Sequence, residues 1–235
     1  MSAVKWRGTI DSFSQWPVLD LPAYSLADAA SYARVPYQTV RYWARGRNDV
    51  APLITLPEDD PPTLSYLNLL ECHVLNALRT NYELQINVVR RALETLGRLY
   101  PSKHPLLETV LSTDKVDLLI ETAGTTINLS KGGQLAMKEM LNTYLHRIER
   151  TDIGIPKLYP FVARDRRDEP KIISIMPTIA YGRSVIDGTG ISTAVISARF
   201  KARESISALA DEYGRSAQEI EEAIRWETNR TAAAA

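Results

Sequence analysis

Four arginines lie close together between residues 34 and 47, and the side chains between them are polar, aromatic or small. No acidic residue interrupts this stretch, so its formal charge is +4. Arginine pairs with phosphate or guanine, while amide and hydroxyl side chains fix position on a nucleic-acid groove. The pattern favours a DNA interface; the simpler alternative is a small helical unit with a solvated basic face. The candidate contacts are Arg34, Tyr37, Gln38, Thr39, Arg41, Tyr42, Arg45 and Arg47.

Two short helices would position these side chains. Ser25 is a good N-cap for a helix whose apolar residues, from Leu26 to Ala33, follow helical spacing. Pro36 breaks that helix and suits the start of the next one. The second helix, residues 37–45, turns Val40 and Trp43 inward and leaves its arginines outside. The stretch therefore predicts a helix-turn-helix.

The residues after this unit extend the prediction to a winged helix. Residues 51–57 are predicted as a short strand and residues 58–62 as an acidic loop. Leucine-rich helices are predicted over about 64–81 and 86–100. This order, with the segment Thr39-Val40-Arg41-Tyr42-Trp43, resembles the MerR-type winged helix. The resemblance implies operator DNA as a partner, and we expect a homodimer because one short recognition helix rarely binds an operator tightly.

The middle of the chain gives weaker signals. A short helix is predicted around 106–111, then two strands, 117–121 and 125–129, as a hairpin, and then a helix to about Arg150. The aromatic-rich arm before residue 22 is expected to pack either on its own domain or across a dimer.

The last third of the chain contains a second helix-turn-helix. A strand at 171–175, a turn at Asp187-Gly188 and three helices with caps at Ser192, Ser205 and Ser216 are predicted. Gly214 ends the second of these helices. Residues 205–226 hold five acids and two bases, a net charge of 2 − 5 = −3. Such a surface repels phosphate, so this copy is expected to bind a protein, either basic or RNA-handling, rather than DNA.

The segment Gly182-Arg183-x-Val185-Ile186-x-Gly188-Thr189, with the helices after it, resembles a bacterial domain of unknown function. That domain recurs in VapB-type antitoxins. The chain departs from the pattern at Ser184, where the family usually has Pro, and at Gly190, where it usually has Arg. The resemblance implies a PIN-like ribonuclease toxin with an acidic Mg²⁺ pocket as partner. The candidate partner contacts are Arg183, Arg225, Trp226 and Arg230. For Trp226, closing the helix bundle is an equal alternative.

Composition limits the other classes of function. The 28 basic and 28 acidic residues balance, so DNA binding requires local clustering. A single cysteine suits a reducing cytoplasm, and neither a membrane span nor a signal peptide is predicted. Cys72 and His73 are adjacent on a predicted helix, so they point about 100° apart and cannot chelate one metal ion. We expect no catalytic residues, no metal and no cofactor.

The sequence thus predicts a mainly α protein with small β elements. Its predicted domains are an N-terminal arm and MerR-like winged helix (1–100), a middle β-hairpin plus helix (101–162), and a C-terminal three-helix homeodomain-like domain (163–235). The first hypothesis is an antitoxin that neutralises a toxin and represses its own operon. The alternative is a MerR-like regulator that responds to a ligand in residues 101–162 and has no toxin partner.

Overall fold

A computed structural model describes residues 16–47, 50–82, 86–99, 102–111, 117, 119–121, 123–124, 131–162 and 169–234. The described part is mainly helical, with a few short antiparallel strand pairs, as predicted. The aromatic arm up to residue 15 and the second predicted strand of the middle hairpin, 125–129, lie outside the described residues.

Helices occur throughout the described part of the chain. They are Leu26–Ala33 (α1), Tyr37–Arg45 (α2), Tyr66–Tyr82 (α3), Ile86–Leu99 (α4), Pro105–Val110 (α5), Lys131–Leu145 (α6), Thr193–Lys201 (α7), Ile206–Tyr213 (α8) and Ala217–Ala234 (α9). Short 3-10 helices cover Pro17–Asp20 and Ala180–Gly182. The strands are Tyr24–Ser25 (β1), Glu58–Asp59 (β2), Pro62–Leu64 (β3), Ile148–Arg150 (β4), Pro156–Leu158 (β5), Ile173–Ser174 (β6) and Val185–Ile186 (β7).

The first helix-turn-helix forms where it was predicted. The Ser25 hydroxyl accepts a hydrogen bond from the Asp28 backbone N–H at 3.1 Å, which caps α1. The wing prediction is wrong in position: residues 51–57 form no strand, and the hairpin is β2–β3 instead. Strand β3 pairs with both β2 and β1, so a three-stranded sheet flanks the helices.

The middle segment differs most from its prediction. The described residues 117, 119–121 and 123–124 are helical, so the first predicted strand is wrong. Leu119, Ile120 and Ala123 are buried, which is the spacing of one face of a helix. In an apolar run this short, the sequence pattern does not distinguish a helix from a strand. The observed middle hairpin is β4–β5, which pairs Ile148 with Leu158 after α6 has ended at Leu145.

One hydrophobic cluster runs through all three predicted domains, from Leu19 to Trp226. The Tyr66 side chain, fully buried on α3, shows how closely they join. Its hydroxyl oxygen lies 3.0 Å from the Pro156 carbonyl oxygen and 2.9 Å from that of Ile175, and it accepts the Leu158 N–H at 3.0 Å. Leu158 and Ile175 in turn exchange backbone hydrogen bonds, which joins the β4–β5 hairpin to the C-terminal third.

Candidate DNA and partner interfaces

Helix α2 presents one continuous polar face to solvent. Tyr37, Gln38, Arg41 and Arg45 are exposed, while Val40, Trp43 and Ala44 are buried under them. The exposed positions recur every three or four residues, which places them on one side of a helix. Thr39 and Tyr42 are half-buried at its margin. The face combines guanidinium, amide and phenol groups, the chemistry that phosphate and base-edge contacts use.

The turn after α2 holds Arg47 beside this face. Gly46 has φ +68°, and a Cβ there would lie 2.0 Å from the Val50 carbonyl oxygen, so only glycine fits. Arg47 and Val50 exchange backbone hydrogen bonds across the turn. Leu53 then returns to α2, where its N–H donates to the Trp43 carbonyl at 2.7 Å. Arg47 is exposed on this braced turn.

Arg34 makes contacts within the chain that the sequence did not predict. It ends α1 in the left-handed conformation, with φ 55° and ψ 44°. Its guanidinium donates to the Phe161 carbonyl at 3.3 Å and also to the Val162 carbonyl. The Arg34 side chain thus links the helix-turn-helix to the middle segment in this conformation, and its contact with DNA stays a prediction.

The second helix-turn-helix forms as predicted, although the Ser192 hydroxyl makes no capping hydrogen bond before it and Glu222 is buried. Gly214 ends α8 at φ 60°, and Ser216 and Glu219 form a reciprocal capping box at the start of α9. Outside that box, Arg199 of α7 binds both Glu204 and Glu212, so it crosses from α7 to α8. Exposed Glu221 remains on α9 beside the nominal recognition surface. The exposed face of α9 thus carries an acid where the exposed face of α2 carries arginines.

Trp226 lies in the core, so the prediction of an interface role for it is wrong in this conformation. Its side chain is 0% exposed and stacks on Tyr32 of α1, with ring centroids 6.3 Å apart and planes 4° apart. The alternative prediction, that it closes a helix bundle, describes this position.

The two predicted arginines on either side of Trp226 are also engaged within the chain. Arg230 binds Glu227 at 2.7 Å and the Ser31 hydroxyl at 3.1 Å, and its guanidinium carbon lies 5.0 Å from the Tyr32 ring centre. Arg225 pairs with Glu222 of its own helix but keeps 44% of its side chain exposed. Arg230 therefore holds α9 against α1, and Arg225 retains an accessible guanidinium.

A turn that sequence reasoning did not single out presents the most exposed large hydrophobic residue among the described residues. Tyr181 is 94% exposed, and Arg183 beside it is exposed as well. Ala180, Tyr181 and Gly182 all have left-handed backbones, with φ of 48°, 55° and 75°. Such a backbone is costly for residues with a Cβ, so the surrounding structure must hold it in place. The signal for this turn in the sequence is the triplet Tyr181-Gly182-Arg183, of which only Arg183 is a predicted partner contact.

Tyr24 holds that turn. Its hydroxyl donates to the Gly182 carbonyl at 2.9 Å across 158 residues of chain. A Cβ on Gly182 would lie 2.3 Å from the Tyr24 hydroxyl oxygen, so glycine is required at this contact. The turn is thus fixed to the N-terminal sheet, and it presents Tyr181 on a braced support.

Ser184, where the chain departs from the family pattern, belongs to a buried polar group. Its hydroxyl lies 2.7 Å from the Thr193 hydroxyl, which donates to the Glu227 carboxylate at 2.6 Å. The other Glu227 oxygen binds Arg230. The group ties β7, α7 and α9 together, and its acid is paired as a buried charge requires.

A second buried polar group joins the 3-10 helix, α3 and α5. His104 lies 3.2 Å from Glu71 through Nδ1 and 3.2 Å from Asp20 through Nε2. Burial disfavours charge on the imidazole, yet hydrogen bonds and charge from the two carboxylates raise the pKa of His104 above its usual value. His104 therefore bridges three elements most strongly when it is protonated.

A pocket of about 260 Å³ opens beside the first helix-turn-helix. The described residues that line it are Tyr32, Ala33, Arg34, Pro36, His73, Asn76, Arg79, Tyr144 and Phe161. Burial lowers the pKa of His73 to about 4, so its ring is neutral near pH 7. It stacks on Phe161 with centroids 6.0 Å apart.

Within the described residues, no three His, Cys, Asp or Glu side chains are grouped so that they could hold a metal ion. In the same part of the chain, no helix is long and apolar enough to cross a membrane.

This chain is similar to known proteins in sequence and in fold. The family described as "Protein of unknown function (DUF433)" matches residues 173–226. A Mycobacterium tuberculosis (strain ATCC 25618 / H37Rv) protein named "Putative antitoxin VapB45" is 26% identical over 229 residues, 87% of this chain and 93% of that protein. The crystal structure of Rv2018 from Mycobacterium tuberculosis has a TM-score of 0.66 at 23% identity and covers 88% of this chain and 99% of that one. The fold is therefore shared over most of both chains.

Proposed function

We propose that this chain is the antitoxin of a type II, VapBC-like toxin–antitoxin module. It binds and neutralises a PIN-like ribonuclease, and it represses its own operon by binding operator DNA. Two findings support the proposal: the similarity to a named antitoxin along 87% of the chain, and the family match over residues 173–226. No catalytic role is proposed for the chain itself.

The exposed face of α2 is the observation that carries the DNA half of this proposal. It holds Arg41 and Arg45 beside Tyr37 and Gln38, and exposed Arg47 follows on the next turn. The corresponding helix of the second helix-turn-helix carries Glu221 outward. Because DNA affinity depends mainly on phosphate neutralisation, the N-terminal copy is the DNA reader.

Operator binding is expected to involve a homodimer in the cytoplasm. One helix as short as α2 covers a single half-site, and dimers of helix-turn-helix proteins read two half-sites about 34 Å apart. Two copies double the number of phosphate contacts and place an α2 on each half-site.

The toxin contact is proposed at the turn that carries Tyr181 and Arg183, with Arg225 as an additional cation. Tyrosine and arginine are the residue types that most often anchor interfaces. The hydrogen bond from Tyr24 to Gly182 braces the backbone of this turn, and a tyrosine side chain has only two χ angles, so its immobilisation costs little when a partner covers it. A guanidinium such as that of Arg183 suits the acidic Mg²⁺ pocket of a PIN-like nuclease.

Co-expression with the product of the neighbouring reading frame tests the proposal. We expect the two proteins to copurify as a complex, and we expect the chain to suppress ribonuclease activity. A matched chain with Tyr181→Ala and Arg183→Ala should fold normally and fail to suppress it. Operator binding without any toxin partner would favour the alternative, a regulator without a toxin.

A further inference from the structure

We propose that the pocket beside the first helix-turn-helix binds a small organic anion with an aromatic ring. Of the described residues that line the pocket, two are arginines and none carries a carboxylate. Its volume of about 260 Å³ lies just below the usual range for ligand sites, roughly 300–1,000 Å³, so it admits a small ligand with one ring.

Aromatic side chains form the walls of the pocket. Tyr144 and Phe161 meet edge to face with ring centroids 4.9 Å apart, and His73 packs against both. The His73 Nε2 atom lies 3.2 Å from the Tyr144 carbonyl oxygen, which fixes the imidazole against α6. Flat, rigid walls of this kind select a planar ligand over a flexible one.

Arg79 supplies the charge at the mouth of the pocket. It lies on the last turn of α3, where its side chain is exposed. Arg34 also lines the pocket, and its guanidinium is fixed to the carbonyl groups of Phe161 and Val162. A carboxylate is planar and takes two parallel hydrogen bonds from one guanidinium. The ring then packs against the cluster of His73, Tyr144 and Phe161 while the carboxylate stays at Arg79.

The position of the pocket gives the ligand a route to the DNA-binding unit. Ala33, Arg34 and Pro36 line it, and they form the turn between α1 and α2. A ligand that contacts this turn together with α3 and α6 restricts the motion of the turn, and α2 follows directly after the turn. By linkage, operator and ligand then change each other's affinity by the same factor. This regulatory consequence rests on the proposed function, but ligand binding does not.

Calorimetric titration of the whole chain with benzoate tests the site without DNA or toxin. Benzamide, neutral and of the same shape, and inorganic phosphate, an anion without a ring, are the comparison probes. We expect benzoate to bind at least tenfold more tightly than either. Equal binding of benzamide, equal binding of phosphate, or no heat with benzoate would each overturn the proposal.

The variant Arg79→Gln tests whether benzoate binds in this pocket. We expect it to weaken benzoate binding about five- to tenfold, because the charge-assisted pair of hydrogen bonds at a partly open site is lost. Arg79→Lys, which keeps the charge but not the two parallel hydrogen bonds, should weaken binding less than Arg79→Gln. Arg98→Gln, the same change on the exposed side of α4, should have no effect. Unchanged affinity in Arg79→Gln, with an unfolding temperature equal to that of the wild type, refutes the assignment.

Discussion

Trp226 and Tyr181 should respond to truncation in opposite ways, and this contrast tests the division between core and interface. Trp226 has no exposed surface and stacks on Tyr32, whereas Tyr181 is 94% exposed. Trp226→Ala removes a fully buried indole that joins α9 to α1. Tyr181→Ala removes a ring that makes little contact with its own chain.

The expected magnitudes come from burial. Truncation of a fully buried Trp costs about 3–5 kcal/mol, and each kcal/mol shifts the unfolding temperature of a chain of this size by about 2–4 °C. Trp226→Ala should therefore lower the unfolding temperature by roughly 6–20 °C. Tyr181→Ala should stay within about 0.5 kcal/mol of the wild type, as exposed substitutions usually do.

The assays are thermal unfolding by circular dichroism and titration of each folded variant with the toxin. If Tyr181 anchors the interface, its loss costs at least about 2 kcal/mol of binding, or roughly thirtyfold in affinity. Trp226→Ala, measured well below its unfolding temperature, should retain most of the affinity. The reasoning fails if Trp226→Ala unfolds like the wild type but loses the toxin, or if Tyr181→Ala unfolds several degrees earlier.

At the turn that carries Tyr181, the variant Tyr181→Gly should be more stable than Tyr181→Ala by about 0.5–1 kcal/mol, because glycine adopts φ 55° without the Cβ clash. Chemical denaturation of the two variants measures this difference, and equal midpoints would argue against backbone strain. For His104, the raised pKa means that the charged form stabilises the fold fully below its unfolded value of about 6.5, and this stability is lost as pH rises through the folded pKa. The difference in unfolding temperature between wild type and His104→Gln should therefore be larger at pH 5.5 than at pH 8, and a pH-independent difference would contradict this account. For DNA, Arg41→Ala and Arg45→Ala should each reduce the salt slope of operator binding by about 0.9, while Arg98→Ala leaves it unchanged; a slope that none of them alters would count against α2.

Features that depend on neighbouring residues were predictable from the sequence. The caps at Ser25, Ser205 and Ser216 and the end of α8 at Gly214 each involve partners only a few residues away. Such hydrogen bonds need only partners within the same few residues, so their residue types identify them well, although Ser192, predicted from the same signal, makes no capping hydrogen bond. The helix-turn-helix at each end of the chain rests on these local signals.

Features that depend on distant partners were not predictable. Arg34 has the residue type and the neighbours of a DNA contact, yet its hydrogen-bond acceptors lie 127 and 128 residues further along the chain. Trp226 has the residue type of an interface anchor, yet its ring stacks on Tyr32 of the same chain. Residue type indicates the contact a side chain can make, and only the tertiary fold decides whether that contact is internal.

The internal contacts of some candidate residues reduce the number of residues in the two proposed interfaces. After Arg34, Trp226 and Arg230 are assigned to internal contacts, the DNA candidates fall on α2 and the turn after it, and the toxin candidates centre on the turn at Tyr181. Both surfaces are connected to α1 or to β1, the strand before it. Helix α2 follows α1 through the turn at Arg34, and the Tyr181 turn is held by the hydrogen bond from Tyr24 of β1 to Gly182. A partner that moved the Tyr181 turn would therefore act on β1, which leads directly into α1. Operator and toxin affinities should accordingly be coupled, and Tyr24→Phe, which removes the hydroxyl and keeps the ring, is the change that should weaken that coupling.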